Sequence, residues 1–452
     1  MTFDPPSSDS RRQRTPAHYH APAIPRQFKT ELIDRAISAF AGWYTGTHCV
    51  VSFAGRLDED RLARAMRLTV DAEPILGCRF VESWFRPCWR RVDDLDAVEF
   101  CAVRRTSNYQ ADLETFLETP VDLPLRSVLL RGDTDRLCIK LDHRAGDGQA
   151  MKDYVYLLAD TYNRLRNDPS YVPAPNVDRK RGVRQIGDQL GLRETLRIAW
   201  QSLKFAGRQV KDVGMWKFPA PQTEFDYVIG RLDAGRVRAI FEYARNQRTT
   251  VGQVLLAAFY LAAHHVRPQS TDRPLPVRIA VDLRRHLPSK RAAAPCNLVG
   301  ISLVAIDPRA GKSLDPVVTQ VRDQMRSQRT GRFGLSNSTF ALEAVPVIRH
   351  LVSLIPYGVM KRLARIALQQ RARRGVRMVG VIFTDLGELD AARLAFAGTE
   401  TTDAFVTFGA FAVPGLMMAV SGFEGALTLS LGYGPAPLVN ALLEHLMRTL
   451  PM

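Results

Sequence analysis

The stretch 140–148 reads Lys-Leu-Asp-His-Arg-Ala-Gly-Asp-Gly and constrains this chain more than any other. It closes the apolar alternating run Leu137-Cys-Ile-Lys-Leu141, so the sequence predicts a strand that ends in a tight, glycine-containing turn. His143 falls at that strand end, four residues before Asp147-Gly148, where a side chain can reach into a cleft. Imidazole is also the common side chain whose ordinary pKa suits proton transfer near neutrality.

With 452 residues the chain can bury two cores of comfortable size, and 46% hydrophobic with 24% charged residues is globular composition. Cys49, Cys78, Cys88, Cys101, Cys138 and Cys296 are scattered without a Cys-x-x-Cys pair. That pattern is neither a disulfide framework nor a zinc site, so a reducing cytoplasm is expected and no metal. Residues 1–25, rich in Pro, Ser and Arg, read as a disordered tail without the order of a secretory signal. Ala404 to Phe423 is uncharged and long enough to span a membrane. Gly409, Pro414, Gly415 and Gly422 interrupt it beside runs such as Phe405-Val-Thr-Phe, so buried strands joined by turns are expected instead.

The net charge of +16 is unevenly spread. Ala344 to Thr384 holds no acidic residue but includes Arg349, Lys361, Arg362, Arg365, Arg371, Arg373, Arg374 and Arg377. A second basic stretch runs from Arg179 to Lys211, diluted by Asp188 and Glu194. Such runs serve phosphate-bearing partners or are simply solvated faces, and the sequence gives these even weight.

Strand and helix patterns alternate irregularly, which predicts mixed sheets covered by helices. Helices are expected over Ile33–Trp43, from Asp58 as a cap towards Val70, over 149–164, 236–247, 250–264 and 316–328. Strands are expected near Cys49, Cys78, Glu99–Val103, Tyr227–Leu232, Arg278–Leu283 and Leu298–Ile306. The Pro-rich, basic material after Asn167 marks a boundary. The expected division is 26–175, a connector at 176–220, and 221–452.

The His143-x-x-x-Asp147-Gly148 spacing resembles the signature of the acyltransferases related to chloramphenicol acetyltransferase, which include peptide-synthetase condensation domains, alcohol acyltransferases and wax-ester synthases. Further pieces fall in the family's order. They are Gly55-Arg-Leu-Asp through Pro74-Ile-Leu-Gly-Cys-Arg-Phe, Val281-Asp-Leu-Arg-Arg-His-Leu, Cys296-Asn-Leu-Val-Gly-Ile-Ser, Phe383-Thr-Asp-Leu-Gly and Phe423-Glu-Gly-Ala-Leu-Thr-Leu-Ser-Leu. Each is weak alone; the ordered set spans about Ile33 to Tyr433.

The resemblance implies an α/β fold of two chloramphenicol-acetyltransferase-like subdomains forming a V, with a central active-site tunnel. It implies His143 as general base, taking the proton of an acceptor hydroxyl or amine as that atom attacks a thioester carbonyl. Asp147 then fixes the loop by pairing with an arginine, Arg284 or, in the other strand register, Arg285. Gly148 lets the backbone turn closely beneath the imidazole. Asn297 and Thr384 are candidates for substrate binding. The family often has two successive histidines; here Asp142 takes the first place, where it either raises the pKa of the histidine or, the favoured reading, sits in solvent.

A lone histidine at a strand end is more often structural, but Asp147-Gly148 and the downstream matches reverse that judgement for His143. His264-His265 ends an apolar helix without further ligands at metal spacing and reads as capping and surface contact. His286 reads equally well as an exposed loop residue. No Gly-x-x-x-x-Gly-Lys-Ser/Thr loop and no Gly-x-Ser-x-Gly elbow occurs.

No cofactor is expected, only a pantetheine thioester as substrate, carried by acyl-CoA or an acyl carrier protein. In 348–377 apolar and basic residues interleave, which suits a membrane-surface element, a lid over an apolar channel or an ordinary packed helix. That tilts the acceptor towards a lipid, glycolipid or hydrophobic secondary metabolite, and adds peripheral contact with the inner face of a membrane as an option. The alternatives are a stand-alone condensation protein forming an amide, and a non-enzymatic basic binder of lipid or nucleic acid. The latter lacks a nucleic-acid motif.

Overall fold

Two mixed sheets, one for each half of the chain, organise the molecule, a computed structural model. The described residues are 23–39, 46–119, 122–177, 180–211, 226–266, 275–307, 313–328, 333–335, 339–373, 381–408, 416–434 and 436–452. Most of the expected tail, and Gly409, Pro414 and Gly415, lie outside them.

The N-terminal half opens with β1 (Gln27–Lys29) and α1 (Leu32–Ala39), then β2 (Thr47–Phe53) and α2 (Glu59–Ala72). Asp58 caps α2, its side chain accepting from the Arg61 N–H, and Glu59 and Asp60 suit the positive end of the helix. Leu62, Ala65, Met66, Thr69 and Val70 form the buried stripe. There follow β3 (Cys78–Val81), β4 (Cys88–Arg91), β5 (Cys101–Arg105), α3 (Tyr109–Glu118), β6 (Leu125–Arg131), β7 (Asp135–Leu141) and α4 (Gly148–Asn167). Strands β1, β4 and β3 make a small antiparallel sheet.

The segment between the halves is not bare connecting material. It contains a short α5 (Arg184–Gly187) and the twenty-residue α6 (Leu192–Lys211). The C-terminal half then gives β8 (Asp226–Leu232), α7 (Ala234–Asn246), α8 (Val251–His265), β9 (Leu275–Asp282), β10 (Val299–Ile306) and α9 (Leu314–Gln328). Helices α10 (Phe340–Ala344), α11 (Pro346–Leu354) and α12 (Tyr357–Arg373) precede β11 (Val381–Glu388), β12 (Thr401–Phe408), β13 (Leu416–Phe423), β14 (Ala426–Gly434) and α13 (Ala436–Thr449). The stretch tested as a span is therefore strand at both ends, and every residue of β13 is buried. No helix among the described residues is long and apolar enough to cross a membrane.

The C-terminal sheet runs β10-β9-β11-β13-β14-β8. Helix α8, capped by Thr250 and buried from Gln253 to Ala263, packs on it with α9 and α13. The N-terminal sheet runs β12-β2-β7-β6-β5, so β12 crosses from the second half and pairs antiparallel with β2. Ala404 and Val406 of β12 join the core that α2 and α4 share with β2 and β7. The expected pair of subdomains is present, stitched together by this exchanged strand.

Candidate active site

Strand β7 ends at Leu141, and residues 142–147 carry the chain into α4. Asp147 is the cap of α4: Oδ1 accepts from the Ala150 N–H at 2.9 Å. The same carboxylate receives both arms of one guanidinium, Arg284 Nη1 to Oδ2 and Nη2 to Oδ1, each at 2.9 Å. The Leu298 N–H adds a bond of 2.8 Å to Oδ2. Arg284, and not Arg285, is thus the partner, with its side chain 2% exposed against 3% for Asp147. Burial pushes the Asp147 carboxyl up, but Arg284 and the two backbone donors outweigh it and hold the group below its ordinary value. Arg284 follows β9 on a 3-10 turn capped by Asp282, and also bonds the Cys296 carbonyl at 3.1 Å.

His143 is half-buried, and its Nδ1 lies 3.3 Å from the Gly146 carbonyl. A carbonyl only accepts, so this bond places the proton on Nδ1 and the lone pair on Nε2. Asn297 Nδ2 donates to the His143 carbonyl at 2.7 Å, fixing the backbone that carries the ring. Asn297 is 3% exposed, and among the described residues its Oδ1 has no hydrogen-bond partner.

One further placement differs from expectation. Asp142 is not in solvent but 1% exposed, because the Arg144 guanidinium and N–H both bond its carboxylate. Gly148 opens α4, and a Cβ there would meet Leu386 Cδ2 of the other half at 2.4 Å. His286 is half-buried, with Nε2 2.9 Å from the Phe333 carbonyl. His265 stacks on His445 with centroids 4.1 Å apart.

Sequence reasoning missed Arg181. It is 4% exposed and bonds Asp34 Oδ2 at 2.8 Å, the Ala145 carbonyl at 3.0 Å and the Pro295 carbonyl at 2.8 Å. It ties α1 to the His143 loop and to the strand approach carrying Asn297. Among the basic residues of 179–211 nothing in the sequence distinguishes it.

His143, Asp147, Arg284 and Asn297 border a cavity of 680 Å³ between the halves. One wall is the C-terminal sheet. Val299 and Ile301 of β10 sit opposite Asp282 and Ala280 of β9, with Ile382 and Thr384 of β11 beyond. Facing them are His143, Gly148, Phe408 of β12, and Ile33 and Ile37, one turn apart on α1. Thr384 is 5% exposed and lines this cavity. Two carboxyls add polarity: burial raises Asp385, and raises Asp282 against the opposing pull of Arg284. The chamber is largely apolar in surface, with His143, Gln149, Asn297 and Thr384 among the polar groups on its walls.

No family model matches the sequence, and neither does any curated protein. Solved structures do match in three dimensions. Polyketide synthase associated protein 5 from Mycobacterium tuberculosis superposes with a TM-score of 0.66 at 18% identity, over 94% of this chain and 97% of that one. The chain has the condensation-domain fold. A trichothecene 15-O-acetyltransferase from Fusarium sporotrichioides gives a TM-score of 0.68 at 14% identity, covering 94% and 95%. The first condensation domain of the CDA synthetase gives 0.64 at 17%, again over 94% and 95%. At these identities the likeness is one of fold, and it matches the architecture that the His143 signature implies.

Proposed function

We propose that this condensation-fold protein transfers an acyl group from a pantetheine thioester to a hydroxyl of a lipophilic acceptor. The observation that carries this reading is the placement of His143. Its Nε2 lone pair belongs to a ring on a loop locked by Asp147, Arg284 and Asn297, at the wall of the 680 Å³ cavity. The acceptor O–H gives its proton to Nε2 as its oxygen attacks the thioester carbonyl. The tetrahedral oxyanion then collapses, the C–S bond breaks, and the departing thiolate takes the proton back from the imidazolium. A positioned base of this kind contributes roughly 10²–10⁴-fold. Holding both reactants in one chamber supplies much of the rest. Asp147 and Arg284 are positioning residues, and Thr384 with the unpartnered Oδ1 of Asn297 are candidates for contact with substrate.

The apolar walls support a lipid, glycolipid or hydrophobic secondary metabolite as acceptor, with contact at the inner face of a membrane as its setting. Acyl-CoA and an acyl carrier protein present the same thioester arm, and a carrier protein is supported by the match to a polyketide-synthase-associated protein. The equal coverage by a synthetase condensation domain favours one second reading, amide formation between carrier-bound substrates.

The test compares extracts of producing cells expressing wild type or His143→Ala at matched levels, by untargeted mass spectrometry. Loss of a product carrying an acyl-sized mass increment is expected in the variant. Identical profiles, with the gene itself required for some product, would remove His143 from the chemistry.

A further inference from the structure

Helix α11 faces the wrong way for a helix of a water-soluble surface. Val347, Leu351 and Leu354, spaced i, i+4, i+7, are 70%, 58% and 60% exposed, and none of its residues is buried. Isolated exposed leucines are ordinary, but a continuous stripe marks an interaction surface. The β3–β4 connection meets the same corner. The Trp84 carbonyl accepts from the Gly358 N–H at 2.8 Å and the Phe85 carbonyl from the Tyr357 N–H at 3.2 Å, at the start of α12. The Trp84 ring lies so close over Gly358 that a Cβ there would strike it. Both aromatic side chains are left 56% and 66% exposed.

The charge beside this apolar corner is mostly positive. Arg86, Arg362 and Arg365 are exposed around it, and the whole stretch from Ala344 to Thr384 has no acidic residue. Glu82, across from α12, is bonded to Lys361 and to Tyr357 Oη. Exposed Trp, Phe and Leu ringed by Arg and Lys match the headgroup boundary of an anionic bilayer, where aromatic rings sit and basic side chains meet lipid phosphates.

We infer that α11, the start of α12 and the Trp84–Phe85 loop dock this protein on an anionic membrane surface. The docking stands on this surface alone; its use, delivery of a lipid-borne acceptor, rests on the transfer reading above. The route is short, because Tyr357 Oη is hydrogen-bonded to Ser38 Oγ of α1 at 3.0 Å, and Ile33 and Ile37 of the same helix line the cavity.

The full chain is floated with vesicles of phosphatidylglycerol and phosphatidylcholine, and with phosphatidylcholine alone. Binding is expected to the anionic vesicles only, and to weaken with salt. The pair Phe85→Ser with Leu354→Ser, and separately Arg362→Glu with Arg365→Glu, should each weaken it by about tenfold or more. Phe85 and Leu354 are exposed, so unfolding curves like those of wild type are expected and confirm that fold loss is not the cause. Equal binding to neutral vesicles, no flotation, or unchanged binding in both pairs would overturn the inference. So would concentration-dependent dimers in light scattering, abolished by the first pair, with no flotation: the surface would then face a second copy. Thioester turnover with a soluble acceptor should not change in either pair, which separates failure of docking from failure of the chemistry.

Discussion

Asp147 and Arg284 lie 137 residues apart in sequence and meet through two parallel hydrogen bonds of 2.9 Å in the interior. One caps the helix after the His143 loop, the other follows a strand of the opposite subdomain. The pair therefore holds the loop against the second half of the molecule. Bidentate geometry of this kind fixes orientation as well as charge.

Breaking that pair from one side strands a buried charge. Arg284→Ala should lower stability by about 3–5 kcal/mol, read from urea unfolding. A loss below about 1 kcal/mol, the range of exposed pairs, would mean that solvent reaches Asp147.

Asn297→Ala removes the donor to the His143 carbonyl but also removes the unpartnered Oδ1. The two effects oppose, so the stability change should be about 1 kcal/mol or less. Turnover should fall far more than stability does, with kcat affected before KM. Wild-type turnover would show that the loop keeps its shape without this bond.

At Gly148 the constraint is space. Gly148→Ala should cost about 1 kcal/mol, because the Leu386 methyl must turn aside for the new Cβ. Leu386→Ala in the same chain should recover part of that loss, a coupling measurable by a double-mutant cycle. Purely additive effects would place the cost elsewhere.

Burial pushes the Glu73 carboxyl up from 4.5 to about 8, against the opposing bonds from Asn176 Nδ2. The folded protein then keeps a proton that the unfolded chain releases between those values. Stability from this group is greatest below pH 4.5 and falls as pH rises towards 8. Glu31 and Glu343 are pushed the same way, by burial first, and add to the slope. Thermal midpoints should therefore fall from pH 5 to pH 8, and Glu73→Gln should flatten the decline. An unchanged slope in that variant would mean Glu73 is ionised in the fold.

Much of this fold was legible in the sequence because it is written locally. Asp58 caps its helix as its side chain and the following apolar spacing predict, and Thr250 opens the helix whose apolar run continues to Ala263. The strand, turn and helix around His143 are equally local. What escaped depends on distant partners. Phe405-Val-Thr-Phe reads as a strand, but its pairing with β2 of the other half is a tertiary choice with no sequence mark. Asp142 looks solvated until Arg144 folds back on it, and Arg181 is one basic residue among many until α1 and the His143 loop close around it. Helix α6 was hidden by the proline-rich, basic composition around it.

Thiol release from acyl-CoA or an acyl-loaded carrier protein, with a lipophilic alcohol as acceptor, can be followed for wild type and His143→Ala with matched unfolding curves. Acceptor-dependent release should be seen in wild type and fall by roughly 10²–10⁴-fold in the variant. Release at equal rates in both proteins would contradict His143 as the base.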